Sequence, residues 1–118
     1  MPSDLFDMTG KVAVVTGAGA NGGLGHTIAL GFAQYGADIV AGDIDDAGAQ
    51  TTVAEVKALG RQAIAVKCDV ASEASVAAMA KEVGKKFSNV DIVVNCAGIF
   101  PQKNFPEMTF ASCPCSSL

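Results

Sequence analysis

The segment Thr16-Gly17-Ala18-Gly19-Ala20-Asn21-Gly22-Gly23-Leu24-Gly25 is where this chain first offers chemistry. It follows the apolar, β-rich run Lys11 to Val15 and precedes an amphipathic helical pattern from His26 to Tyr35. Strand, glycine-rich turn and helix is the context in which such a loop holds the pyrophosphate of a dinucleotide. Glycine tolerates positive φ and lets main-chain N–H groups come close to an anion. The helix that follows adds its unpaired amides and the positive end of its dipole. Taken alone, the loop also fits an ordinary turn.

Three further segments sit at matching places. Asp43 ends the second apolar run, Ala37 to Gly42, and lies 18 residues beyond Gly25. That is close to the ~20 expected for the acid that takes the adenosine ribose hydroxyls. A carboxylate there accepts two hydrogen bonds from a ribose diol and repels a 2′-phosphate, which points to NAD over NADP. The plainer alternative is a strand-end or helix N-cap aspartate, since Asp45 and Asp46 crowd the same turn. Cys68-Asp69-Val70 ends the third run, Gln62 to Lys67, and Asn95-Cys96-Ala97-Gly98 ends the fourth, Val90 to Val94. Ligands of a parallel sheet gather at the carboxyl ends of its strands, and all of these segments occur there.

The elements that position them alternate regularly. Strands are expected near 11–16, 37–42, 62–67 and 90–95, and helices near 24–35, 46–59 and 72–87. The first helix carries a stripe of Leu24, Ile28, Phe32 and Tyr35, which makes Tyr35 a packing residue. The second places Ala49, Val53, Val56 and Leu59 on one side and stops at Gly60. The third has Ser72 as N-cap and an apolar face of Val76, Met79, Ala80, Val83 and Phe87. Such alternation implies an α/β fold with right-handed parallel crossovers. His26 is expected as a partly exposed first-turn residue, with approach to a cofactor phosphate as the alternative.

Together, Thr-Gly…Gly-Leu-Gly, Asp43, Asp69-Val70 and Asn95-Cys-Ala-Gly resemble the N-terminal half of a short-chain dehydrogenase/reductase, from about Met8 to Met108. The resemblance implies a Rossmann-type doubly wound parallel sheet, strand order 3-2-1-4, truncated after about four strands. It implies that Gly17, Gly23, Leu24 and Gly25 line the pyrophosphate and that Asp43 holds the ribose. Asp69 and Val70 would bound the adenine, while Asn95, Ala97 and Gly98 would pack against the cofactor and stabilise the central sheet. Two departures stand out. The family loop has three residues between Thr-Gly and Gly-x-Gly, whereas this one has five, Ala18 to Gly22. That spacing is similar to the divergent enoyl-reductase branch, which carries Ser and Ala where this chain has Gly23 and Gly25. Asn21-Gly22 is expected to bulge outward. The family's chemistry also rests on a Tyr-x-x-x-Lys pair. The only tyrosine is Tyr35, and Ile39 stands four residues on, so no catalytic residue is assigned.

Composition bounds the rest. The chain has 118 residues, 50% hydrophobic and 17% charged, which is a globular composition. We expect one incomplete NAD-binding domain over 1–110 and an irregular tail over 111–118. A net charge of −4 without a basic patch argues against nucleic acid. The apolar runs are too short to span a bilayer, and Met1 to Phe6 has no basic n-region, so the expected setting is cytoplasmic. Of four cysteines, Cys68 and Cys96 are expected to pack, and the lone Cys113-x-Cys115 does not make a metal site. Phe100 to Pro106 is loop-like, and Glu107-Met108-Thr109 is similar to the family's approach to its next helix. The final residues suit an out-of-register or interrupted end, or a regulatory tail.

A fourth strand containing Val90, Ile92, Val93 and Val94 is too apolar for a sheet edge, so self-association is expected. The favoured function is the NAD(H)-binding portion of an oxidoreductase whose intact relatives act on an alcohol or carbonyl. The alternative is a non-catalytic nucleotide-binding or protein-interaction module.

Overall fold

Val12–Thr16 (β1) is buried at all five positions, as a central strand covered on both faces should be. The computed structural model describes residues 3–20 and 22–98. The expectations for Asn21, for the 100–106 loop, for Glu107 to Thr109, for Cys113 and Cys115 and for the 111–118 tail lie outside those residues. β1 pairs in parallel with Asp38–Asp43 (β2) on one side and with Ile92–Asn95 (β4) on the other. Ala63–Lys67 (β3) lies beyond β2, giving the order β3-β2-β1-β4. The register aligns Val14 with both Val40 and Val93. This is the doubly wound Rossmann-type arrangement, in the strand order 3-2-1-4, that the resemblance implied. A short 3-10 turn at Ser3–Phe6 precedes it and was not expected.

Strand alternation sends successive side chains to opposite faces. Ala13, Val15, Ile39 and Ala41 face one side and meet Leu24–Gln34 (α1) and Asp46–Ala58 (α2). Val12, Val14 and Val40 face the other and meet Met79 and Val83 of Glu73–Lys86 (α3). Ile39, Val15, Val40 and Val56 are the largest fully buried apolar side chains. Each contributes about 1.5–3 kcal/mol of burial.

Local chemistry sets the helix ends. The Asp45 carboxylate accepts from Gly48 N at the start of α2, and Ser72 Oγ accepts from Ser75 N at 3.2 Å at the start of α3. Gly60, at φ +85, closes α2, with Gly60 N donating to Lys57 O and Arg61 N to Val56 O.

Helix rotation departs from the sequence pattern in three places. In α1 the buried residues are Gly25, His26, Ala29 and Ala33. Ile28 and Phe32 are partly buried, while Leu24 is 71% and Tyr35 50% exposed. Tyr35 is therefore no core residue; its ring meets Phe6 edge-on, at 6.4 Å between centroids. The helix turns its smallest side chains to the sheet because it crosses the strand ends at close range. In α2, Ala49, Val53 and Val56 are buried, but Leu59 lies past the last turn and is exposed. In α3, Met79 and Val83 are buried and Phe87 is half-buried, while Val76 and Ala80 face solvent.

β4 is paired with β1 on one side, and among the described residues no strand pairs with its other side. Val93 is 60% exposed.

Gly84 lies inside α3, where a Cβ would meet nothing within 4 Å. Gly84→Ala should therefore stabilise the fold, by about 0.5–1 kcal/mol. Urea unfolding followed by circular dichroism checks this through an upward shift of the midpoint.

Candidate functional site

The four strand ends expected to carry ligand chemistry converge on one cleft of about 480 Å³ at the carboxyl edge of the sheet. That is within the size range of small-molecule sites. Gly17, Gly23, Leu24, Gly25, Asp43, Asp69, Val70, Ala97 and Gly98 all line it. Asn95 does not; it remains in register with Thr16 on β4.

The floor is main chain against main chain. Gly17 follows β1 with φ +70, a conformation that suits glycine. A Cβ there would stand 2.8 Å from Ala97 N, so the residue type is dictated by space as well. A Cβ at Gly25 would stand 2.5 Å from Gly17 O. Gly23 is the N-cap of α1 and is also tight, since a Cβ there would stand 3.0 Å from Ala20 O. Thr16 holds the other wall. Its hydroxyl donates to Val94 O at 3.4 Å and accepts from Cys96 N at 3.2 Å and Ala97 N at 3.3 Å. Thr16 was not singled out from the sequence; a hydroxyl at a strand end just before the first loop glycine was the available signal.

The start of α1 is chemically unlike the other helix starts. Its N-cap, Gly23, has no side chain to cap with, and its first turn holds no acid. α2 and α3 each have a side-chain cap and an acid in the first turn. First-turn amides left in this way, with the dipole behind them, favour an anion at the cleft floor.

Asp43 stands half-buried at the mouth. Its Oδ2 accepts from Gly19 N at 2.7 Å and its Oδ1 from Asp45 N at 2.9 Å. The helix cap is Asp45, so Asp43 is not the N-cap that the crowded turn allowed. Its two main-chain bonds fix the carboxylate's orientation. A carboxylate has about four acceptor sites, so each oxygen retains one for a ligand hydroxyl. Asp69 is exposed; its Oδ1 accepts from Ala71 N at 3.0 Å, and its own N–H donates to Ser75 Oγ at 2.9 Å. Cys68 is buried and Cys96 half-buried, both lining the same cleft.

The glycine loop is braced from behind by α2. Thr52, 1% exposed, donates from Oγ1 to Ala18 O at 2.6 Å. Gly48 packs so closely on the Gly19 carbonyl that a side chain there is impossible. His26 corrects the sequence expectation. It is buried rather than partly exposed, since Gly22 and Glu55 of α2 both hydrogen-bond its ring.

Comparison with known proteins gives this geometry a family. Residues 11–113 match the family described as short chain dehydrogenase. The chain belongs to that family. It is 45% identical over 96 residues to a 7alpha-hydroxysteroid dehydrogenase of Escherichia coli (strain K12), covering 81% of this chain and 37% of the relative. It is 41% identical over 102 residues to an L-rhamnose 1-dehydrogenase (NAD(P)(+)) of Sphingomonas sp. (strain SKA58), covering 86% and 39%. A crystal structure of hydroxysteroid dehydrogenase from Escherichia coli superposes with a TM-score of 0.84 at 43% identity, covering 92% of this chain and 45% of that one. The chain thus spans less than half the length of these short-chain dehydrogenases. The family consists of Rossmann-fold oxidoreductases that use nicotinamide dinucleotides, NAD or NADP.

Gly25→Ala should drive a methyl into the Gly17 carbonyl and lower stability by about 1–3 kcal/mol, as overpacking does. Thermal unfolding checks it; a melting temperature equal to that of the unmutated chain would show that α1 can shift away from the loop.

Proposed function

We propose that these 118 residues form the NAD(H)-binding portion of a short-chain dehydrogenase/reductase oxidoreductase. The observation that carries the reading is the convergence of the glycine loop, Asp43, Asp69-Val70 and Ala97-Gly98 on one cleft beside an uncapped helix. In this reading Gly17, Gly23, Leu24 and Gly25 leave room for the pyrophosphate, and the first-turn amides of α1 donate to it. Asp43 takes the adenosine ribose diol with the acceptor sites that Gly19 and Asp45 leave open. Its charge, held at the mouth by two main-chain bonds, disfavours the 2′-phosphate of NADP. Asp69 and Val70 bound the adenine. Ala97 and Gly98 form the wall opposite Gly17, and Asn95 supports that wall from the end of β4.

The bound dinucleotide would supply hydride transfer to or from the carbon of an alcohol or carbonyl. These residues bind and orient it; they do not move the proton. The family's Tyr-x-x-x-Lys pair is not among the 118 residues, and the single tyrosine, Tyr35, sits at the C-cap of α1, the end away from the cleft, against Phe6. The 118-residue polypeptide is therefore expected to bind without turning over, while a longer relative acts on an alcohol or carbonyl substrate. The setting is cytoplasmic in this reading, and no helix among the described residues is long and apolar enough to cross a membrane.

Calorimetry should find NAD bound more tightly than NADP. Asp43→Ala should weaken NAD by about ten- to a hundredfold, the range of a charge-assisted hydrogen bond, and narrow the gap to NADP. Equal affinity of the unmutated chain for both would reject the ribose assignment.

The exposed side of β4 makes a separate expectation. Its amides that no strand among the described residues pairs, and the exposed Val93, favour association with a second edge. Size-exclusion chromatography at micromolar concentration should show oligomers that Val93→Lys reduces. A monodisperse monomer would count against the edge.

A further inference from the structure

His26 is a buried titratable side chain that the dinucleotide reading leaves without a role. It lies in the first turn of α1 and is 8% exposed. Gly22 N donates to its Nδ1 at 3.1 Å, and its Nε2 lies 3.0 Å from Glu55 Oε2. A neutral imidazole has one donor nitrogen and one acceptor. Acceptance from an amide at Nδ1 places the proton on Nε2, where it is donated to the Glu55 carboxylate. The ring therefore ties the glycine loop to α2 through Glu55, 29 residues beyond His26.

The tie falls at an exposed residue of the loop. Gly22 has φ +77, and a Cβ there would meet nothing within 4 Å. Ala18 is held by the Thr52 hydroxyl and Gly19 by Asp43. Gly22 is the last of the five residues, Ala18 to Gly22, between Thr-Gly and Gly-x-Gly, and its amide rests on the imidazole. A longer loop has more conformational freedom to lose when it closes on a ligand. A contact that removes this freedom beforehand raises affinity without touching the ligand.

We infer that His26, braced by Glu55, is a positioning residue that holds the extended glycine loop in its phosphate-accepting shape. The inference rests on the dinucleotide reading for its ligand and on the free protein for its geometry. Three variants separate the roles. His26→Phe retains the ring volume and removes both bonds. His26→Gln restores one acceptor and one donor. Glu55→Ala removes the brace from a partly exposed side chain and disturbs the interior less.

The test uses the 118-residue chain with ADP-ribose and adenosine as probes. Amide hydrogen exchange of the free protein should quicken at Gly22 by about tenfold in His26→Phe, the loss of one hydrogen bond. ADP-ribose affinity should fall by a similar factor while adenosine affinity holds, and His26→Gln should recover much of both. Imidazole ¹⁵N shifts of the unmutated chain should show the Nε2–H form. Equal weakening of ADP-ribose and adenosine would make His26 merely structural and overturn the inference, as would an Nδ1–H ring or unchanged Gly22 exchange. If the unmutated chain takes up no ADP-ribose, the dinucleotide reading falls, and Gly22 exchange in the free protein alone decides the tie. If His26→Phe does not fold, Glu55→Ala is scored by the same readouts, with smaller changes in the same direction expected and no change overturning the inference.

Discussion

At the carboxyl edge of the sheet, three stretches of main chain touch with no side chain between them. Gly17 lies against Cys96 and Ala97, and Gly25 lies against Gly17. These two contacts bring β1, the start of α1 and the end of β4 together without room for a side chain. The rest of the molecule is arranged to permit them. α1 turns Ala29 and Ala33 to the sheet because larger residues would lift it off the loop. Thr16 gathers the end of β4 onto β1 through one hydroxyl, where a plain strand end would diverge. The cost is borne by apolar surface such as Leu24 and Tyr35, which the same rotation turns toward solvent.

A second set of contacts connects this floor to the end of β2 and to α2. Asp43, Gly48, Thr52 and, through His26, Glu55 each engage a different point of the glycine loop. The loop is thus held by polar groups aimed at its backbone as well as by the burial of Ala18 in the core. Such an arrangement keeps the ligand side of the loop free and orders its other side. The same Asp43 carboxylate that orders Gly19 also lines the cleft.

Much of this was legible in the sequence where the physics is local. Strand positions followed from apolar runs, and Ser72 and Gly60 marked helix ends through capping chemistry confined to a few residues. The strand order came with the resemblance of Asn95-Cys-Ala-Gly and its companion motifs. Helix rotation was not legible. Periodicity placed Leu24 and Tyr35 on the buried stripe of α1, but the approach of Gly25 to Gly17 decides which face meets the sheet, and that contact is tertiary. The burial of His26 and the use of Thr52 have the same origin: their partners lie 29 and 34 residues away. Of the crowded acids Asp43, Asp45 and Asp46, the helix cap is Asp45, while Asp43 ends β2 with its carboxylate on the Gly19 amide.

The central claim is that the carboxyl-edge cleft, and not another concavity, takes the dinucleotide. A larger groove of about 790 Å³, lined by Leu5, Phe6, Ile28 and Tyr35, lies along the outer side of α1 and offers a built-in control. A ¹H–¹⁵N correlation titration of the labelled chain with NAD tests the claim directly. The account predicts that shifts concentrate at Gly17, Gly25, Asp43, Asp69 and Ala97 and leave the residues around Phe6 and Tyr35 in place. Shifts centred on Phe6 and Tyr35, or no shifts at saturating NAD, would contradict it.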